Sequence, residues 1–150
     1  MLLELEGFGA LGRGVYVHPR DRTQRLAGVI ARMGLQDGVM IFRAELVQAQ
    51  GDRALVSGLW DLNDLDERYA TFLSHFSAAR RRRSCWKKPE DAFRMRLALA
   101  IAFLSIAWGD PDLPDPFLPS EWKGGRAQRL AARFYQELVP GTLEHIERML

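Results

Sequence analysis

A single cysteine, Cys85, occurs in the 150 residues. That excludes an intramolecular disulfide and a cysteine-built zinc site, and it fits a reducing cytoplasm. Long apolar runs are missing too. The longest, Leu97 to Trp108, contains Ser105 and falls short of the ~20 residues that span a bilayer. The N-terminal Met1-Leu2-Leu3-Glu4-Leu5-Glu6 lacks the positive charge and extended apolar stretch of a secretory signal. Histidine is scarce: His18, His75 and His145 stand apart, outside any i,i+4 or H-E-x-x-H pattern, so no metal site is expected. No paired carboxylates fall at catalytic spacing, and no repeat is present. These absences predict a cytoplasmic protein that is not an enzyme, has no membrane partner and needs no cofactor.

What remains is an ordinary globular composition, 47% hydrophobic and 27% charged. A chain of this length buries roughly 68–70% of its unfolded surface, enough for one compact domain or two small ones sharing a core. The net charge is only +2, but its distribution is uneven. From Arg80 to Arg96, eight basic residues stand against Glu90 and Asp91, a local +6 that leaves −4 for the rest. A cationic segment on a slightly acidic body suits an anionic partner.

The hydrophobic pattern divides the chain. Leu2, Leu3 and Leu5 ahead of Gly7 and Gly9 predict the end of a helix. Gly12 and Gly14 bracket a turn into a strand, Val15-Tyr16-Val17, closed by His18-Pro19. Asp21 with Gln24 has the form of a capping box, followed by Leu26, Val29, Ile30 and Met33 at helical spacing and a stop at Gly34. Residues 39–47 form the clearest strand, apolar over Val39-Met40-Ile41-Phe42 and alternating thereafter. The rest is helical. Asp64 and Glu67 suggest a second capping box before Leu65, Tyr69, Phe72, Leu73 and Phe76 on one face. Pro89 opens a helix over Ala92 to Trp108 that is apolar all round after Arg96, which places it at the centre of a bundle. The proline-rich residues 110–116 predict a stiff connector. Arg126 to Leu138 reads as an amphipathic helix broken by Pro140-Gly141, with Thr142 capping a short last helix.

Two motifs invite chemical readings. Gly7-Phe8-Gly9-Ala10-Leu11-Gly12 is a literal G-x-G-x-x-G, but a dinucleotide site needs a strand before the glycines and a helix after them. Here that order is reversed, so the motif reads as a helix-to-strand turn. The second is Arg80-Arg81-Arg82-Arg83-Ser84-Cys85-Trp86-Lys87-Lys88. Arginine offers paired donors to phosphate, and Trp86 could stack on a base or a flat ligand. The bland alternative is a solvated interhelix loop. Duplex phosphates and the phosphates of a coenzyme A thioester fit these residues equally well. Cys85 amid arginines has an argument for a lowered pKa and nothing more. Trp60, Trp108 and Trp122 are expected as core anchors, with Asp61 capping a turn and Asp110 holding the loop before Pro111.

Several stretches, in order, resemble one family. Gly7-Phe8-Gly9-Ala10-Leu11-Gly12-Arg13-Gly14-Val15-Tyr16-Val17-His18-Pro19-Arg20 resembles the glycine turn and following strand of PaaX-type transcriptional regulators. Phe42-Arg43-Ala44-Glu45 matches next, then Trp60-Asp61-Leu62 with Tyr69-Ala70-Thr71-Phe72. Asp110-Pro111-Asp112-Leu113-Pro114 follows, with Phe117-Leu118-Pro119-Ser120-Glu121-Trp122-Lys123-Gly124. The resemblance covers nearly the whole chain. It implies a relative of the repressors of phenylacetate catabolism, which join a winged helix, a Cas2-like ferredoxin-like middle domain and a helical C-terminal domain. It also implies an aryl-acetyl coenzyme A effector and a homodimer, since palindromic half-sites demand a two-fold protein.

Against that family, this sequence begins near the end of the middle domain's first helix, so DNA contact is expected only where a winged helix is supplied elsewhere. A polar stretch of the family is replaced by Ile101, Ala102, Phe103 and Leu104. The fold expected is α+β: a truncated ferredoxin-like (Cas2-like) region over residues 1–58, then a helical C-terminal domain over 59–150. The function expected is the effector-sensing and dimerisation part of a PaaX-type regulator, responding to a phenylacetyl-CoA-like thioester. Candidate anion-binding residues are Arg43, Arg80, Arg81, Arg82, Arg83, Trp86, Lys87 and Lys88. The alternative is a stand-alone interaction or scaffold module without ligand. A Cas2-like metal nuclease is disfavoured, because the chain offers no acidic ligand at the end of a first strand.

Overall fold

The computed structural model describes residues 2–45 and 52–150. The described residues are mostly helical, with one two-stranded sheet. They divide into two compact units, Met1–Trp60 with Pro111–Leu118, and Asp61–Asp110 with Pro119–Leu150.

In the first unit, helix α1 (Leu2–Leu5) ends where Gly7 takes a φ of 83°, and Phe8 N–H donates back to the Leu3 carbonyl at 3.0 Å. Strands β1 (Gly9–Gly12) and β2 (Val15–Val17) pair antiparallel, so the glycine motif itself supplies a strand. The two residues between them, Arg13 and Gly14, have φ of 51° and 80°, as a tight hairpin turn requires. Gly9 lies under helix α3 (Asp52–Leu59) and the residue after it. A Cβ at Gly9 would come within 2.9 Å of Leu59 Cβ and 3.0 Å of the Trp60 ring. Trp60 Nε1 donates to the Gly7 carbonyl at 3.0 Å. These glycines therefore serve a hairpin and a tryptophan contact; no helix opens behind them to receive a phosphate.

Helix α2 spans Thr23–Met33 and stops at Gly34, φ 67°, as its sequence predicts. The capping box does not form. Arg22 occupies the N-cap, and Asp21 instead accepts from Thr23 N–H at 2.9 Å, a local turn that competes with the cap geometry. The strand expected over 39–47 is likewise absent across 39–45, and residues 46 and 47 lie outside the described residues. Among the described residues no neighbouring strand pairs with this segment, and Met40 and Phe42 are 81% and 76% exposed. An apolar run becomes a strand only where a partner accepts its backbone groups. Pro111 and Leu113 are buried within this unit, and a single 3₁₀ turn follows at Asp115–Phe117.

The second unit is a helical bundle. Helix α4 (Leu62–Arg81) begins at Asp61, whose side chain accepts from Asp64 N–H at 3.0 Å, so the cap lies three residues before the expected one. Leu65, Tyr69, Phe72 and Phe76 form its buried stripe, as the periodicity predicts. Helix α5 (Pro89–Ala107) starts on Pro89 and buries Ala92, Leu99 and Ile106. Its position is not central: Leu97, Ile101, Leu104 and Trp108 are exposed. Within this unit α5 packs on α4, α6 and α7, and among the described residues of the bundle one of its faces is left uncovered, which composition alone does not reveal. Helices α6 (Gly124–Glu137) and α7 (Val139–Glu147) complete the bundle. Phe134 and Leu138 are fully buried at their junction. Thr142 does not cap α7; it is buried inside the helix, and its hydroxyl donates to the Leu138 carbonyl at 2.8 Å.

Polar ties hold this bundle. Tyr69 Oη donates to Asp110 at 2.6 Å, which fixes the start of the proline connector. Asp66 accepts from Lys123 N–H at 2.9 Å and pairs with the Lys123 ammonium, anchoring the start of α6. No described helix is long and apolar enough to cross a membrane.

Candidate functional site

The basic run sits where α4 ends. Arg80 and Arg81 occupy its last turn, a position that the negative end of the helix dipole favours. Arg82 leaves helical geometry, and a short 3₁₀ turn, Arg83–Cys85, leads on to Trp86. This reversal turns part of the run back toward α6. Ser77, Arg80, Arg81, Arg83, Leu130 and Glu137 together line an open pocket of about 370 Å³.

The arginines are not equivalent. Arg80 is engaged by Glu137, its Nε 3.1 and 3.0 Å from the two carboxylate oxygens and its Nη2 bonded to Oε1. The hydrogen bonds from Arg80 hold the Glu137 carboxyl below the usual range, with the charges of Arg80 and Arg83 adding to the effect. The same contact raises Arg80. Among the described residues no carboxylate forms an ion pair with Arg81, Arg82 or Arg83. With three guanidinium groups and one carboxylate in its lining, the pocket carries a net charge of about +2.

Trp86 is half-buried against the core, its ring edge-on to Phe134 at 5.7 Å between centroids. The Arg83 guanidinium lies over the indole, 5.7 Å from its centroid. One face of the ring thus positions an arginine, where the sequence suggested stacking on a flat ligand. Lys87 and Lys88 are exposed beyond the pocket lining, just before α5. Arg43 belongs to the other compact unit, where it pairs with Asp21 at 2.5 Å. Arg94 and Arg96 are also occupied, the first by Glu90 at 2.5 Å and the second over the Tyr135 ring at 4.0 Å.

The histidines and the cysteine lie outside the pocket lining. His18 accepts from Arg20 N–H at 3.0 Å and packs against Phe8, and burial lowers its pKa. His145 packs against Phe93 and His75 against Phe76. Cys85 is exposed. Among the described residues no three His, Cys, Asp or Glu side chains cluster as metal ligands. Sequence reasoning missed Glu137: it is 57 residues from Arg80, and only the packing of α6 alongside α4, start to start and end to end, brings the two together.

Comparison with known proteins places this chain in a family. The family described as PaaX-like protein C-terminal domain matches residues 60–148. That described as PaaX protein central Cas2-like domain matches residues 2–56. A transcriptional repressor, PaaX of Escherichia coli (strain K12), is 28% identical over 147 residues, which is 94% of this chain and 46% of the repressor. The chain thus spans about half the length of that relative.

Proposed function

The chain belongs to the PaaX-like family, and from that premise we propose that it is the effector-sensing and dimerising part of a PaaX-type transcriptional regulator. The observation that carries the reading is the pocket at the end of α4, lined by Arg81 and Arg83, while Glu137 occupies Arg80. The ligand proposed is an aryl-acyl coenzyme A thioester. Its phosphates would take the paired N–H donors of Arg81 and Arg83, a geometry that guanidinium groups supply and ammonium groups do not. Leu130 adds an apolar wall.

The response would pass through Arg83. Its guanidinium rests on Trp86, and Trp86 rests on Phe134, a fully buried residue of the bundle. A phosphate that draws Arg83 outward changes what covers Trp86, and with it the packing between the basic turn and α6. In this reading the ferredoxin-like part is the region matching the Cas2-like domain, and DNA contacts come from a winged helix supplied elsewhere.

Calorimetric titration with coenzyme A tests the site. Arg81→Ala/Arg83→Ala should weaken binding at least tenfold, and wild-type affinity should fall with added salt. Unchanged affinity in the variant would remove this pocket from the account. A second reading, an interaction module without ligand, draws support from the exposed apolar face of α5. It requires that neither protein binds coenzyme A.

A further inference from the structure

Beside the arginine pocket, α6 carries a second group of cations. Arg126, Arg129 and Arg133 follow one another at spacings of three and four, and all are exposed. That spacing sets them on one face, along about 10 Å of helix. Leu130, which lines the pocket, has Arg126 four residues before it and Arg133 three after it, so both are its neighbours on the helix surface. Arg133 also stands four residues before Glu137, but Arg80 occupies that carboxylate. Asp66, at the other end of α6, is taken by Lys123. Among the described residues no carboxylate forms an ion pair with Arg126, Arg129 or Arg133. The first turn of α6 holds no acidic residue, so Arg126 adds its charge to the positive end of the helix dipole. Arg129 lies back along the helix, its Nη1 3.5 Å from where a Cβ on Gly125 would stand.

Three like charges at helical spacing, one of them in the first turn, weaken the helix unless an anion offsets them. Their place on α6 selects the anion. The group borders Leu130 and Glu137, and therefore the pocket that Arg81 and Arg83 line. To reach both groups of arginines, a ligand needs two phosphate centres held apart. Coenzyme A has them: a diphosphate and, one ribose away, a separate 3′-phosphate monoester. We propose that Arg126, Arg129 and Arg133 form a second phosphate subsite, which takes the 3′-phosphate of coenzyme A while Arg81 and Arg83 hold its diphosphate. A phosphate monoester brings nearly two negative charges and three acceptor oxygens, a demand that paired guanidinium donors meet. Binding there removes the repulsion within α6, so the ligand gains what the free helix forgoes.

This inference deepens the coenzyme A reading above and rests on it. Titration calorimetry of the full chain at low salt tests it, with coenzyme A and with dephospho-coenzyme A, which lacks only the 3′-phosphate. The wild type should bind coenzyme A more tightly by about fivefold or more. Arg129→Ala/Arg133→Ala should bring coenzyme A down to the affinity of dephospho-coenzyme A and leave the latter unchanged. Arg81→Ala/Arg83→Ala should weaken both ligands by the same factor. All four substituted residues are exposed, and helical circular dichroism verifies that the variants fold. Equal affinity of the wild type for the two ligands would overturn the subsite and leave the pocket standing. So would an Arg129→Ala/Arg133→Ala variant that loses both ligands alike, since the arginines would then act through net charge alone. No binding of either ligand by the folded wild type would overturn the pocket reading and the subsite with it.

Discussion

Arg80 and Glu137 close a salt bridge between the last turns of α4 and α6, with Arg80 Nε 3.0–3.1 Å from both carboxylate oxygens. The pairing ties two helix ends together and subtracts one cation from the basic run. What remains for a ligand is narrower than the sequence suggests: Arg81 and Arg83, with Arg82 alongside.

Glu137→Gln should therefore release Arg80 into the pocket. One added unit charge at contact distance in solvent is worth about 1 kcal/mol or less, so coenzyme A affinity should rise by up to about fivefold at low salt. Titration calorimetry of the variant beside the wild type reads this directly. The pair is partly exposed, and its loss should cost only about 0.5–1 kcal/mol of stability.

That small contribution has a defined pH dependence. The Glu137 carboxyl is held below its ordinary value, so it stabilises the fold above its unfolded-state value and ceases to as pH falls through its folded value. Thermal unfolding should show the wild type slightly above Glu137→Gln at neutral pH. The gap should close in acid, below the usual carboxylate range. A gap independent of pH would place the effect in packing.

Gly9→Ala should destabilise the first unit by about 1–3 kcal/mol, since its Cβ would approach Leu59 Cβ to 2.9 Å. Chemical denaturation measures the loss. Trp60→Phe removes the indole donor to the Gly7 carbonyl and should cost about 1 kcal/mol. Neither change should reveal a nucleotide affinity to be lost.

Gly141→Ala addresses the bundle. The new methyl would lie 2.7 Å from Ala92 Cβ at the crossing of α5 and α7, and a loss of about 1–3 kcal/mol is expected. Asp61→Ala, which removes the N-cap of α4, should cost about 1 kcal/mol. A thermal midpoint unmoved by Gly141→Ala would mean that the two helices separate freely.

Much of the helical half is legible because its periodicity and its stops agree: the stripe from Leu65 to Phe76 and Pro89 at the start of α5 stand where expected, whereas the break expected at Pro140-Gly141 falls at Leu138, with both residues inside the first turn of α7, where a proline needs no N–H donor. Three features were not legible. The apolar run at 39–42 has strand composition, but pairing is a property of neighbours, and among the described residues it has none. The apolar surround of α5 suggested full burial, yet the bundle covers it on one side only, and Trp108 anchors no core. In the candidate site, the arginines were visible as a run, while the carboxylate that sorts them arrives from a distant helix. Asp61 caps α4 and Asp110 accepts from Tyr69 at the start of the proline connector, as their places beside helix ends predict.

The central claim is that the arginine pocket reads an acylated coenzyme and not phosphate alone. Titration of the chain with phenylacetyl-coenzyme A, with free coenzyme A as control, tests it most directly. The account predicts saturable binding of the thioester that is clearly tighter than that of the free coenzyme. Equal weak binding of the two, or no binding by a folded sample, would contradict it.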